Sequence, residues 1–297
     1  MHKAKGKYSS KVIIAQNAGF CYGVKRAIEQ VEAELGKENK KIVSIGSLIH
    51  NPQMVEMLKN KGLKKIESYS GSTPEDTIVI PAHGVIKKEH DSLRLRKGGI
   101  IDATCVFVKR AQRLAEKLNH AKCDVILILG DSEHPEVRSL LSYAGKKAVV
   151  IDSIDKLKKL NLNKSMKVGL ISQTTQTSAR FNQFKKYLKT QGIVFDYYNT
   201  ICRATVQRQK SSEELAKKAD LMIVIGGKNS ANTRRLAETC MKYQKRTYHI
   251  ENENELRKVW FNHKSVVGIT AGASTPEFLI KKIFNQIYKM VKQGGCK

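Results

Sequence analysis

The stretch AGFCYGVKRAIE, Ala18 to Glu29, decides how the chain is built. It sets Cys21 between a short apolar strand and a long amphipathic helix. Apolar residues recur after the cysteine at Val24, Ala27, Ile28, Val31 and Leu35, the spacing of one buried helix face. Gly19 and Gly23 free the backbone around the thiol for a tight turn and for close approach. A thiolate at a helix N-terminus is favoured by the unpaired N–H groups and the helix dipole, so the position suits a metal ligand. A lone cysteine is more often a small buried apolar residue. This one is not alone.

The arrangement occurs three times. Cys105 lies in GGIIDATCVFVKRAQRLAEKL, and VKRA follows the cysteine at the same offset in both segments, Val24 to Ala27 and Val108 to Ala111. Cys202 lies in FDYYNTICRATVQRQKSSEELAKKA, with the same order of strand, cysteine and basic helix. The cysteines are 84 and 97 residues apart, too far for a local zinc knuckle. That interval is the length of a small α/β unit. The repeat continues between them. An apolar strand, a polar loop and a helix follow each cysteine helix, in KIVSIGSLIHNPQMVEML, DVILILGDSEHPEVRSLL and LMIVIGGKNSANTRRLAE. A second such element comes next, in TIVIPAHGVIKKEH, KVGLISQTTQTSARF and VVGITAGASTPEFLI. The strand that delivers the next cysteine closes each unit. The third unit lacks that strand at its C-terminal end, and Lys11 to Ala15 can supply it.

Short apolar strands alternating with helices predict an α/β fold of three pseudo-symmetric modules with mainly parallel sheets. The modules are 21–104, 105–201, and 202–297 with the N-terminal strand 11–20. In such sheets ligands sit beyond the carboxyl ends of the strands. Every loop quoted above lies there, so the modules are expected to face a central cavity with their cysteines and loops.

Composition narrows the classes. No apolar run is long enough for a membrane span. The first ten residues are polar and basic, which argues against a signal peptide. Six cysteines are too few for a disulfide scaffold in 297 residues, so a reduced, cytoplasmic setting is expected. Cys123 and Cys240 lie outside the repeated setting and read as structural, and Cys296 as a terminal thiol without a role. The 54 basic and 27 acidic residues give a net charge of +27. The lysines are spread through helices and loops, and aromatic residues are scarce. The charge therefore reads as a solvated surface, and nucleic acid is not the expected partner.

Three cysteines converging with no fourth leave two choices: zinc with an open position, or a cubane iron–sulfur cluster with one iron open to substrate. His50 in LIHNP, His83 in PAHGV and His134 in SEHPE each fall at a strand's carboxyl end. With Ser230, Asn232 and Ser274 of the third module they form a set of donors suited to an anion such as phosphate. Serine and threonine are also ordinary helix caps, and both roles are compatible. Glu136, two residues after His134, is the carboxyl group best placed to carry a proton. Thr174 and Thr175 in SQTTQTS offer hydroxyls for a relay or for orienting a substrate alcohol.

In order, GFCYGVKRAI, IHNP, AHGV, DATC, HPEV, QTT, TICRAT with the following RQ, NSANT and TAGASTPE resemble the LytB-type 4-hydroxy-3-methylbut-2-enyl diphosphate reductases over nearly the whole chain. The resemblance implies a three-module, monomeric or weakly dimeric protein with a [4Fe–4S] cluster on Cys21, Cys105 and Cys202. It implies that His50, His83, Ser230, Asn232 and Ser274 hold a diphosphate. His134, Glu136 and Thr174 would serve the allylic hydroxyl and its protonation. Isopentenyl and dimethylallyl diphosphates are the implied products, and an acidic ferredoxin or flavodoxin the implied electron donor. Three positions depart from the family pattern: Val106 in place of proline, Asp131 in place of histidine, and Ala231 in place of a serine. Two other readings stand beside this one: a different three-module Fe–S enzyme, of the quinolinate synthase or diphthamide synthesis kind, and a basic nucleic-acid-binding protein.

Overall fold

The computed structural model describes residues 11–37, 41–261 and 265–293. The first ten residues, read above as lacking a leader, and Cys296 fall outside them.

The chain opens with β1 (Lys11–Ile14) and α1 (Tyr22–Leu35), then β2 (Ile42–Ile45), α2 (Pro52–Asn60), β3 (Lys64–Ile66), β4 (Thr77–Ile80), α3 (Lys87–Arg94) and β5 (Ile100–Asp102). After Cys105 come α4 (Val106–His120), β6 (Val125–Leu129), α5 (Pro135–Ala144), β7 (Ala148–Ile151), α6 (Ile154–Lys158), β8 (Val168–Ser172), α7 (Ser178–Thr190) and β9 (Phe195–Tyr198). After Cys202 come α8 (Arg203–Ala216), β10 (Leu221–Ile225), α9 (Ala231–Tyr243), β11 (Thr247–Ile250), β12 (Val266–Ala271) and α10 (Glu277–Gln293).

The strands form three four-stranded sheets, ordered β3-β2-β4-β5, β7-β6-β8-β9 and β1-β12-β10-β11. Every pairing is parallel. Read from the same edge, the three orders are one pattern. The fold is thus α/β, with three sheets of one design. The first strand of the chain completes the last sheet: Lys11 to Ile14 lie beside Val266 to Ile269 in register. By compactness the residues form two units, Tyr22–Val206 with two of the sheets, and the residues up to Cys21 together with those from Gln207 on, with the third.

Parallel strands covered by helices on both faces must be apolar on both sides, and the sequence obeys. In β6, Ile126 and Ile128 pack with Ala111, Ala115 and Leu118 of α4 and with Val137 and Leu140 of α5. Its alternate residues, Leu127 and Leu129, pack with Phe181, Phe184 and Leu188 of α7. In β10, Leu221, Ile223 and Ile225 face Ile283 and Ile287 of α10, while Met222 and Val224 face Leu236 and Ala237 of α9. Cys123 and Cys240 belong to these cores. Burial pushes the Cys240 thiol up to about 12 and raises that of Cys123, so both stay protonated and inert.

Candidate active site

Within Tyr22–Val206, two cysteines begin helices after edge strands. Cys105 leaves β5, and its N–H donates to the Ala82 carbonyl in the AHGV loop (3.0 Å). The approach to it is stiffened on both sides. Thr104 N–H donates to Asp102 (3.0 Å), and Arg26 donates to the Thr104 carbonyl (2.6 Å). Burial pushes the Asp102 carboxyl up, but hydrogen bonds from Lys109 and Thr104 outweigh it and hold the group below its ordinary range. Gly23 packs on this cysteine so closely that a Cβ there would lie 2.5 Å from Cys105 Sγ. The glycine thus serves a close approach of sulfur to backbone.

Cys202 leaves β9 and precedes α8. Its N–H donates to the Thr174 carbonyl (3.0 Å). Its sulfur lies 3.3 Å from the Thr205 amide nitrogen and 3.0 Å from the Thr205 hydroxyl. Thr174 in turn is fixed by Glu136. The Thr174 amide donates to Oε1 at 2.6 Å and its hydroxyl to Oε2 at 2.9 Å. Glu136 is 2 % exposed and Thr174 5 %. A buried carboxylate is costly unless hydrogen-bonded, and here both oxygens accept from one residue. Glu136, Thr174 and Cys202 therefore form one line of hydrogen bonds linking the mouths of β6 and β8 to the start of α8.

The three histidines meet beside that line. His50 stacks on His83 with ring centroids 5.0 Å apart, and His134 meets His50 edge-on at 4.9 Å and His83 at 6.4 Å. His134 also caps α5, its Nδ1 accepting from Glu136 N–H (3.2 Å). That nitrogen is therefore unprotonated, and the hydrogen of the neutral ring sits on Nε2. Burial, helped by the neighbouring rings of His50 and His134, holds the His83 imidazole well below its ordinary value, so it is neutral at pH 7. The cluster is a set of imidazole donors suited to negative charge.

In the other unit, β10 and β12 end in the loops that open α9 and α10. Gly226 ends β10 with φ 142°, and a Cβ there would meet the hydroxyls of Thr275 and Thr233 at 2.7 and 3.0 Å. Only glycine fits that backbone. Ser230 caps α9, its Oγ accepting from Thr233 N–H (3.3 Å). Asn232, in the first turn, is 6 % exposed, and its Nδ2 is buried with no hydrogen-bond partner. An orphaned buried amide donor at a helix N-terminus suits an anion. Ser274 is buried in the loop between β12 and α10. Cys21 N–H donates to the carbonyl of Ala273, the residue before it, at 3.1 Å.

The residues picked from sequence thus fall into local sets: the histidines with Glu136 and Thr174, Ser230 with Asn232, and Cys21 next to Ser274. Thr205 was not among them, although it stands in the quoted TICRAT; three residues past a cysteine is the N3 position that a cap reaches. Among the described residues no three His, Cys, Asp or Glu side chains close around one point as ligands of a single ion. A cubane distributes its cysteines over separate irons and makes no such demand. Cys202 accepts from the Thr205 amide, a contact that a ligating thiolate can also keep.

Comparison with known proteins decides the family. The family model described as LytB protein matches residues 12–288. A Campylobacter hominis protein named 4-hydroxy-3-methylbut-2-enyl diphosphate reductase is 44% identical over 281 residues, covering 94% of this chain and 99% of the relative. One of the same name from Geotalea uraniireducens is 44% identical over 282 residues, covering 95% and 98%. A solved structure of (E)-4-hydroxy-3-methyl-but-2-enyl diphosphate reductase, the terminal enzyme of the non-mevalonate pathway, has a TM-score of 0.68 at 36% identity, covering 94% of this chain and 99% of that one. The Plasmodium falciparum reductase structure has a TM-score of 0.86 at 25% identity, covering 94% and 88%. The chain belongs to the LytB family. It is an enzyme, and the family match runs over nearly its whole length.

Val106, Asp131 and Ala231, the positions expected from sequence to differ from the family pattern, all lie at the openings of helices. Val106 is the half-exposed first residue of α4, where a proline is favoured but not needed. The Asp131 side chain accepts from Glu133 N–H (3.2 Å) and its carbonyl from His134 N–H (3.0 Å), shaping the turn that presents His134. Ala231 is buried at the first position of α9, between Ser230 and Asn232.

Proposed function

We propose that this LytB-family enzyme removes the allylic hydroxyl of (E)-4-hydroxy-3-methylbut-2-enyl diphosphate with two electrons and two protons. The C–O bond breaks, a C–H bond forms, the oxygen leaves as water, and the products are isopentenyl and dimethylallyl diphosphates. Cys21, Cys105 and Cys202 hold a [4Fe–4S] cluster. When bound, that cluster supplies the electrons and, at its fourth iron, Lewis acidity toward the departing oxygen.

The chain's own residues do the rest. His50, His83 and His134 are donors for the diphosphate, joined by Ser230, Asn232 Nδ2, Ser274 and the first amides of α9. Glu136 carries the protons, and Thr174 Oγ1, bonded to Oε2, relays to the substrate oxygen. Burial of the pair excludes water, which would otherwise compete for the proton. A separate low-potential donor, an acidic ferredoxin or flavodoxin in the cytoplasm, feeds the cluster, and the enzyme works as a monomer or weak dimer. Among the described residues no helix is long and apolar enough to cross a membrane. The observation that carries this reading is the buried Glu136–Thr174 pair set beside three histidines and bonded to the backbone of Cys202.

The test begins with the cluster. Protein prepared without oxygen is expected to be brown, with four irons and four sulfides per chain and one iron distinct by Mössbauer spectroscopy. Serine at Cys21, Cys105 or Cys202 should each deplete it, and serine at Cys123 or Cys240 should not. An unchanged cluster in the first three variants removes the ligand assignment.

A further inference from the structure

The three cysteine segments are near-copies, and they differ informatively at one position. Three residues after the cysteine stand Val24, Val108 and Thr205. Valine and threonine have almost the same shape and differ by a hydroxyl in place of a methyl. Val108 is a buried residue of α4, in a place where a methyl is at home. Thr205 is equally buried, at 2 % exposure, yet it carries the polar group. Its hydroxyl lies 3.0 Å from Cys202 Sγ, with its own amide nitrogen 3.3 Å from the same sulfur. In α4, by contrast, the Cys105 side chain does not cap the helix. The hydroxyl is therefore placed for one sulfur of the three.

A ligating cysteine is a thiolate without a proton, so between these two atoms the hydroxyl must be the donor. Adding an electron to a thiolate-bound centre puts more negative charge on its sulfurs. A donor aimed at a sulfur stabilises the reduced state more than the oxidised one. With Thr205 buried and the contact part-buried, that effect is screened less than at an open surface. The sulfur concerned belongs to the cysteine whose backbone is tied to Thr174, and through it to Glu136.

Resting on the reading of Cys202 as a cluster ligand, we infer that Thr205 sets the reduction potential of the cluster by donating a hydrogen bond to the Cys202 thiolate. Thr205 touches neither substrate nor reacting atoms in this account. It is a positioning residue that acts through the sulfur.

The experiment is an anaerobic redox titration of the holoenzyme followed by electron paramagnetic resonance, with iron and sulfide content as the control. Thr205→Val, which restores the pattern of the other two segments, should keep a full cluster and shift the potential negative. Loss of about tenfold in the preference for the reduced state corresponds to about 59 mV for a one-electron couple. Thr205→Ser, which keeps the hydroxyl, should lie close to the parent. Should the valine variant fail to hold a full cluster, Thr205→Ala carries the test, with the same negative shift expected. Unshifted potentials in fully loaded variants lacking the hydroxyl overturn the inference alone. A full cluster in Cys202→Ser overturns the ligand reading and the inference with it.

Discussion

Thr174 supplies two donors to Glu136, and this constrains what the carboxyl group can do. With Oε1 on the Thr174 amide and Oε2 on the Thr174 hydroxyl, the backbone bond anchors one oxygen. The hydroxyl can rotate and pass a proton at the other. In Glu136→Gln the new side chain would keep an acceptor for the amide and turn its NH₂ toward the threonine oxygen. The substitution thus removes the titrating proton without emptying the site. It should keep the cluster and bind diphosphate, yet lose roughly 10²–10⁴ in turnover, the usual worth of a positioned acid. Anaerobic turnover with dithionite and methyl viologen measures this, beside a spectroscopic check that substrate still perturbs the cluster. Turnover near that of the parent would take the proton away from Glu136 and leave His134 Nε2–H or Thr174 as its source. In the sequence Glu136 is legible only as a carboxyl group at the right end of a strand. Its burial and its partner are not, because Thr174 lies 38 residues away and reaches it from the end of a neighbouring strand.

At the scale of an element, the strand–cysteine–helix segment is a device for setting a sulfur at a helix N-terminus, and Gly23 shows how tightly two are fitted. A glycine inside a helix is disfavoured by about 1 kcal/mol relative to alanine. If Gly23 were merely tolerated, Gly23→Ala would stabilise α1. The 2.5 Å approach to Cys105 Sγ predicts the reverse: a lower midpoint in thermal unfolding and reduced iron content, because the sulfur must move. A variant more stable than the parent with a full cluster would show that the two helices are not packed as described. The segment was readable because its pattern is local: apolar run, cysteine, then apolar residues at helical spacing. The closure of the last sheet by β1 was readable for a similar reason, since the third repeat lacked its final strand. The edge strands β3, β7 and β11 were not singled out. β3 is Lys64–Ile66 with two exposed lysines, and β7 and β11 are only half-buried. An edge strand covered on few sides carries little apolar signal, and lysine is a normal guard of such an edge. The stacking of His50 on His83 depends on a contact between loops far apart in sequence that no local pattern encodes, whereas the tautomer at His134 follows from a cap two residues away.

For the whole molecule, the charge of +27 is the feature that neither core nor site requires. Many lysines are paired within a helix turn, as Lys25 with Glu29, Lys217 with Glu213 and Lys281 with Glu277. Such exposed pairs contribute little to stability. With 54 basic residues against 27 acidic ones, half of the cations have no acidic counterpart at all. Refilling of the proposed cluster by another protein would gain from a long-range field. Opposite charge on the donor raises the encounter rate, and salt weakens it as the Debye length falls from about 10 Å at 0.1 M to about 3 Å at 1 M. The rate of cluster reduction by an acidic ferredoxin or flavodoxin should therefore fall steeply as salt is raised over this range. Reduction by a small dye of low charge should stay nearly level, because a dye diffuses to the cluster without steering. Stopped-flow measurement of both at several salt concentrations separates the effect on docking from any effect on the cluster. A flat profile for the protein donor would mean that the surface charge plays no part in electron delivery. A parallel fall for both would place the salt effect on the cluster itself.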